Sequence, residues 1–134
     1  MKNILVVDDN EMILNTLAWG LRAYCPGWEI FTASTGNDAV KILEASSMDF
    51  VLTDLEMPGM DGFQLIEYIR KHHSAIPRMA MTGNYSAEAE NRLYSLGTPD
   101  VMEKPFNIIN LANRISANLH CPAVVPGAVQ LEGC

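Results

Sequence analysis

Residues 53–62 read TDLEMPGMDG. The apolar run Phe50-Val51-Leu52 gives out just before the acid Asp54, and Pro58, Gly59, Asp61 and Gly62 follow closely. A new apolar pattern then begins at Phe63. Acids and Pro-Gly pairs end strands for ordinary reasons. The same arrangement also displays a carboxylate at the tip of a buried strand, followed by a stiff turn. The segments on either side decide between these readings.

Five short apolar runs alternate with five longer helical patterns. The runs are Ile4–Val7, Glu29–Ala33, Phe50–Thr53, Arg78–Met81 and Val101–Met102. The first, ILVV, is continuous rather than alternating, which suits a strand covered on both faces, as in a parallel sheet. Asn10 can cap a helix over about 11–24 with Ile13, Leu17, Leu21 and Tyr24 on one stripe, stopped by Cys25-Pro26-Gly27. Thr35 can cap a second helix carrying Ala39, Val40 and Leu43, and Asp61 precedes a third in which Phe63, Ile66 and Ile69 recur. Ser86 can cap a fourth helix over about 86–96, with Glu88 and Glu90 early in it and Gly97 after it. Asn107 can cap a fifth over about 107–119, with Ile108, Leu111, Ala112, Ile115 and Leu119 on one face. Strand-helix alternation of this length is an α/β doubly wound pattern. From His120 the stripe is lost, so residues 1–119 read as one domain and 120–134 as a C-terminal tail.

Bulk properties narrow the function. The 134 residues fit one domain with a sizeable core. A formal charge of −7 argues against direct nucleic-acid binding by this chain, because gripping phosphates needs clustered Lys and Arg. No apolar stretch approaches a membrane span, and MKNILVVDDN is not a signal peptide. Cys25, Cys121 and Cys134 show no metal-ligand spacing, so a cytoplasmic chain with reduced thiols is the expectation. A Cys121–Cys134 bridge has only its loop location in its favour.

The polar residues fall at strand ends. Asp8-Asp9 follows the first strand, Asp54 the third, Thr82 the fourth and Lys104 the fifth. In open α/β sheets the functional crevice lies beyond the carboxyl ends of the strands, where the winding reverses. Three acids, a hydroxyl and an ammonium are therefore expected to converge there. Clustered carboxylates repel unless a cation joins them, and an oxygen-only set suits Mg²⁺. A metal, a Lys and a Thr hydroxyl together suit a phosphoryl group. A carboxylate can itself be the nucleophile that receives it. Each residue has a plainer explanation: helix start for Asp8-Asp9, strand terminator for Asp54, loop for Thr82-Gly83, surface lysine for Lys104. Their coincidence at four strand ends favours one common site.

LVVDD at 5–9, TDLEMPGMDG at 53–62, MTG at 81–83 and EKPF at 103–106 together resemble the receiver domain of two-component response regulators, over about residues 3–119. The resemblance implies a flavodoxin-like five-stranded parallel sheet of order 2-1-3-4-5 with five helices, of the chemotaxis type. It implies that Asp54 is the phosphoacceptor, served by a sensor histidine kinase or a phosphotransfer protein. It implies that Asp9, Asp54 and the backbone carbonyl of Glu56 hold Mg²⁺, with Asp8 acting mainly through water, and that Thr82 and Lys104 contact the phosphoryl oxygens. It also implies a cis bond before Pro105, and it places Glu56 and Asn84 beside the path of the attacking water. Such a chain is not an enzyme beyond self-catalysed phosphotransfer and slow autodephosphorylation.

Two positions depart from the family pattern. Val101 stands where many receivers have an aromatic residue that swings inward on activation, and Tyr85 reads as a loop or helix-start aromatic rather than a substitute for it. Pro99 stiffens the approach to the fifth strand. One rival is a phosphatase of the haloacid-dehalogenase type, which places a second Asp where this chain has Glu56 and usually carries a cap domain. The other is a receiver fold that no longer switches. With no output domain in the sequence, a stand-alone receiver acting on a downstream protein is expected over one cut from a longer regulator.

Overall fold

In the computed structural model, residues 1–98 and 100–121 are described. Strands β1 (Lys2–Val7), β2 (Trp28–Ala33), β3 (Phe50–Asp54), β4 (Arg78–Thr82) and β5 (Val101–Glu103) alternate with helices α1 (Glu11–Tyr24), α2 (Gly36–Ala45), α3 (Gly62–His72), α4 (Ala87–Ser95) and α5 (Ile108–Asn118). All strand pairs are parallel, in the order β2-β1-β3-β4-β5. This is the flavodoxin-like sheet expected from the sequence.

The continuous apolar runs are buried on both faces for the reason anticipated. In β1, Ile4 and Val6 point to one layer with α1 and α5, while Leu5 and Val7 point to the other with α2 and α3. A smaller cluster of Leu55, Ile66, Ala80 and Leu93 ties α3 and α4 to the sheet, with Val101 packed against it.

All five expected caps are present. Asn10 accepts from the Met12 and Ile13 amides, Thr35 from Asp38, Asp61 from Gln64, Ser86 from Ala89, and Asn107 from Ile109 and Asn110. Asp61 and Gln64 form a reciprocal capping box. The strands run longer than expected: β1 starts at Lys2, β2 at the buried Trp28, and β5 ends at Glu103. Backbone pairing extends strands past the apolar residues that announce them. The buried helix faces are also broader than the stripes. Leu14 and Ala18 join Leu17 and Leu21 on α1, whereas Ile13 and Tyr24 are only partly buried. On α3, Leu65 joins Ile66 and Ile69, while Phe63 is half-buried beneath the Arg92 guanidinium, 4.1 Å from the ring centroid.

The register levels the strand ends: Val7 pairs with Thr53, Asp54 with Met81, and Thr82 with Glu103. Asp8 and Asp54 are level with Met81 and Met102, with Thr82 one residue and Lys104 two residues further on, so all four leave the sheet at the same edge. Among the described residues, no helix is long and apolar enough to cross a membrane. Pro99, Cys134 and nearly all of the 120–134 tail, and with them the Cys121–Cys134 pairing, lie outside the described residues. Cys25 is a free thiol, but Cys121 is disulfide-bonded, so the expectation of reduced thiols fails there.

Candidate functional site

Each acid is placed by the end of a buried strand. Asp8 follows the last residue of β1 and is fully buried, whereas Asp9, one residue on, is exposed. Asp54 is the last residue of β3 and is 5% exposed. One carboxylate oxygen from each of Asp8, Asp9 and Asp54 lies within 4.8 Å of the others. From the far side of the crevice, Lys104 Nζ stands 3.0 Å from Asp8 Oδ2 and 3.3 Å from Asp54 Oδ2. The Lys104-Pro105 bond that follows is cis, as expected. Asp8 is further held by the Asn10 amide, which donates to its Oδ1 at 2.9 Å. Asn10 thus caps α1 and fixes Asp8 at once.

The electrostatics are unbalanced. Burial, and then the charge of Asp8, push the Asp54 carboxyl up to about 7, and Lys104 only partly opposes this. Burial pulls the Lys104 ammonium down, but its hydrogen bond to Asp8 and the charges of Asp54 and Asp8 outweigh that and leave it raised. Asp54 Oδ1 is buried and has no hydrogen-bond partner. A buried carboxylate oxygen with no donor is costly. Three converging carboxylates with one orphaned oxygen fit a hard divalent cation such as Mg²⁺.

The second half of the site comes from the end of β4. Thr82 is 1% exposed, and its hydroxyl donates to Glu56 Oε1 at 2.5 Å. The Asn84 amide donates back to Thr82 Oγ1 at 3.0 Å. Glu56 itself is exposed on the loop after β3. Behind that loop sits Gly62, where a Cβ would lie 2.2 Å from the Asp54 carbonyl oxygen and 2.7 Å from Leu55 Cα. The first turn of α3 therefore packs directly on the backbone that carries Asp54.

The same pattern is recognisable beyond this chain. A model of the response regulator receiver domain matches residues 4–116. The chain belongs to the response regulator receiver family. The heme response regulator HssR of Staphylococcus aureus is 36% identical over 119 residues, which is 89% of this chain and 52% of HssR. The chain thus spans about half the length of the curated relatives it matches. The chemotaxis protein CheY4 of Vibrio cholerae superposes with a TM-score of 0.82 at 26% identity, covering 89% of this chain and 99% of CheY4. A CheY-like receiver domain protein from Methanospirillum hungatei superposes at 0.84 with 28% identity, over 90% of this chain and 94% of the other. Receiver domains are signalling domains rather than conventional enzymes. They generally bind Mg²⁺ at an acidic pocket, and they work with histidine kinases and downstream targets.

All six residues singled out in the sequence, Asp8, Asp9, Asp54, Glu56, Thr82 and Lys104, border this crevice. Three features were not anticipated: the Glu56 side chain on Thr82, the Asn10 amide on Asp8, and the packing of Gly62 on Asp54. The first joins residues far apart in sequence, whereas the second is a local turn in which Asp8 accepts from the amide two residues on, so the Asp-Asp-Asn run was a usable signal for it. The DG pair at 61–62 was a usable signal for the third, since a glycine at the first position of a helix often marks a close backbone approach. Tyr85 is 42% exposed just before the Ser86 cap, in line with a helix-start residue.

Proposed function

We propose that Asp54 accepts a phosphoryl group from the phosphohistidine of a sensor histidine kinase or phosphotransfer protein. The observation that carries this reading is the buried, partnerless Oδ1 of Asp54 at a strand end, between an acid cluster and the Lys104 ammonium. A carboxylate oxygen of Asp54 attacks phosphorus, the donor's phosphorus–nitrogen bond breaks, and the imidazole leaves with the electron pair. Lys104 stands ready to donate to one phosphoryl oxygen, and Thr82 supplies a hydroxyl for another. Asp8, Asp9, Asp54 and the Glu56 carbonyl are the residues that would hold Mg²⁺. The bound ion would neutralise charge on the carboxylates and the transferring group.

The added charge of roughly −1.5 to −2 draws Thr82 and Lys104 toward Asp54. Thr82 ends β4 and Lys104 follows β5, so they start the connections that lead into α4 and α5, and the face made by α4, β5 and α5 carries the output to a downstream protein or an output domain. With a charge of −7, the chain reaches that output through protein contact rather than by binding nucleic acid itself. A cytoplasmic setting is in keeping with this role. The phosphatase reading loses ground because Glu56 stands where that class places its second Asp, and its carboxylate is engaged by the Thr82 hydroxyl.

Incubation with acetyl phosphate and Mg²⁺, read by intact mass, tests the proposal. One phosphoryl group per chain is expected, absent in Asp54→Asn. Undiminished incorporation in that variant refutes the assignment. Steady turnover of many phosphate monoesters per chain would favour the phosphatase instead.

A further inference from the structure

The contact between Thr82 and Glu56 has no place in the acceptor chemistry just described. A threonine hydroxyl carries one proton and so donates one hydrogen bond at a time. Here that proton goes to Glu56 Oε1 at 2.5 Å, within the range of a strong hydroxyl–carboxylate bond. The other side of Oγ1 is taken by the Asn84 amide at 3.0 Å. Thr82 is 1% exposed, so its hydroxyl has little access to water as an alternative partner. A phosphoryl oxygen on Asp54 and the Glu56 carboxylate therefore compete for the same proton. Glu56 also reaches the Asp54 carboxyl, but it is exposed, so once displaced it can turn into solvent and be hydrated there. Thr82 is β-branched and has few χ1 options, so turning its hydroxyl toward Asp54 is a discrete change of rotamer or a movement of its backbone. The Asn84 amide, two residues before the Ser86 cap of α4, is bonded to that same oxygen and follows it.

We propose that the Glu56 side chain is a positioning residue that holds the Thr82 hydroxyl away from Asp54 until a phosphoryl group displaces it, and so sets the threshold of the switch. This rests on Asp54 being the phosphoacceptor. The proposal concerns the state before phosphorylation and is separate from any effect of Glu56 on the attacking water.

Beryllofluoride with Mg²⁺, titrated against the full chain and followed by ¹⁹F NMR of the bound fluoride, measures the competition. Glu56→Ala removes the competing acceptor and is expected to lower the half-saturating concentration about tenfold, the usual scale for losing one charge-assisted hydrogen bond at a partly open site. Removing a negative charge near an anion would also strengthen binding, so the decisive comparison is the same change made in a Thr82→Ala background. There, with no hydroxyl to release, the gain is expected to shrink to about twofold or less. Glu56→Gln, which keeps an acceptor but not the charge, is expected between wild type and Glu56→Ala. In ligand-free Glu56→Ala, the Thr82 methyl and Asn84 amide resonances are expected to move toward their beryllofluoride-bound positions. An equal gain in both backgrounds, or resonances that stay in place, overturns the proposal. A wild-type chain that binds no beryllofluoride at all would instead overturn the role of Asp54.

Discussion

Replacing Gly62 with Ala tests how tightly the acceptor is held. The new methyl would sit 2.2 Å from the Asp54 carbonyl oxygen and 2.7 Å from Leu55 Cα, both backbone atoms that cannot swing aside. Restoring ordinary contact requires a shift on the order of 1 Å between the start of α3 and the end of β3. Overpacking of this kind costs about 1–3 kcal/mol. Ala is a better helix former than Gly and returns at most ~1 kcal/mol. With the full return the net loss is about 0–2 kcal/mol, at most roughly 8 °C in Tm for a domain of this size. Function should suffer more than stability. A displacement of about 1 Å at a reacting group costs on the order of a hundredfold in rate. Gly59→Ala is the control: its φ of +75° makes it a strained position, but nothing lies within 4 Å of the new methyl. It should lose about 1 kcal/mol with little change in phosphorylation rate. Urea denaturation and the acetyl phosphate reaction would be measured on both variants. If Gly62→Ala phosphorylates at the wild-type rate, the claim that α3 packing positions Asp54 is wrong.

Lys104→Ala leaves Asp8 and Asp54 without their ammonium; it should cost about 2–3 kcal/mol in urea without Mg²⁺, below the figure for a fully buried pair because Lys104 keeps a fifth of its side chain exposed. Mg²⁺ should restore more stability to this variant than to wild type, and equal restoration would argue against a shared charge balance. Amide exchange with and without beryllofluoride should change most at residues 82–90 and little at 100–103, because Val101 offers no ring to couple an inward swing to Thr82; the reverse pattern would refute this route. Burial pushes the Cys25 thiol from 9.0 up to about 11, so its contribution to stability is fully present below pH 9 and is lost as pH rises through about 11. The loss should reach about 2 kcal/mol, read as the difference between wild type and Cys25→Ala in urea denaturation across that window, and parallel curves would show that the thiol does not titrate this way.

The acid cluster was legible in the sequence because a parallel sheet converts sequence position into spatial position. Once the five runs are strands wound in one direction, a residue just past each run must lie at the same edge. The helix caps were legible because a side chain two or three residues from the amides it satisfies needs no tertiary information. The helix faces were read less fully. The stripe through Ile13, Leu17 and Leu21 missed Leu14 and Ala18, because a helix lying on a sheet buries a wider arc than one heptad seam.

The sequence alone thus determined the layered α/β fold, the edge where the site lies and the residue types that meet there. These follow from hydrophobic periodicity and from the fixed hand of strand-helix-strand crossovers, both of which act locally. Only the tertiary structure decided how the polar groups pair. Nothing local makes Asp8 buried and Asp9 exposed, gives Lys104 to both Asp8 and Asp54, or hands the Thr82 proton to Glu56. Those partnerships depend on side-chain direction and on loops that end within about 3 Å of one another, and short-range hydrogen bonding changes sharply over such distances.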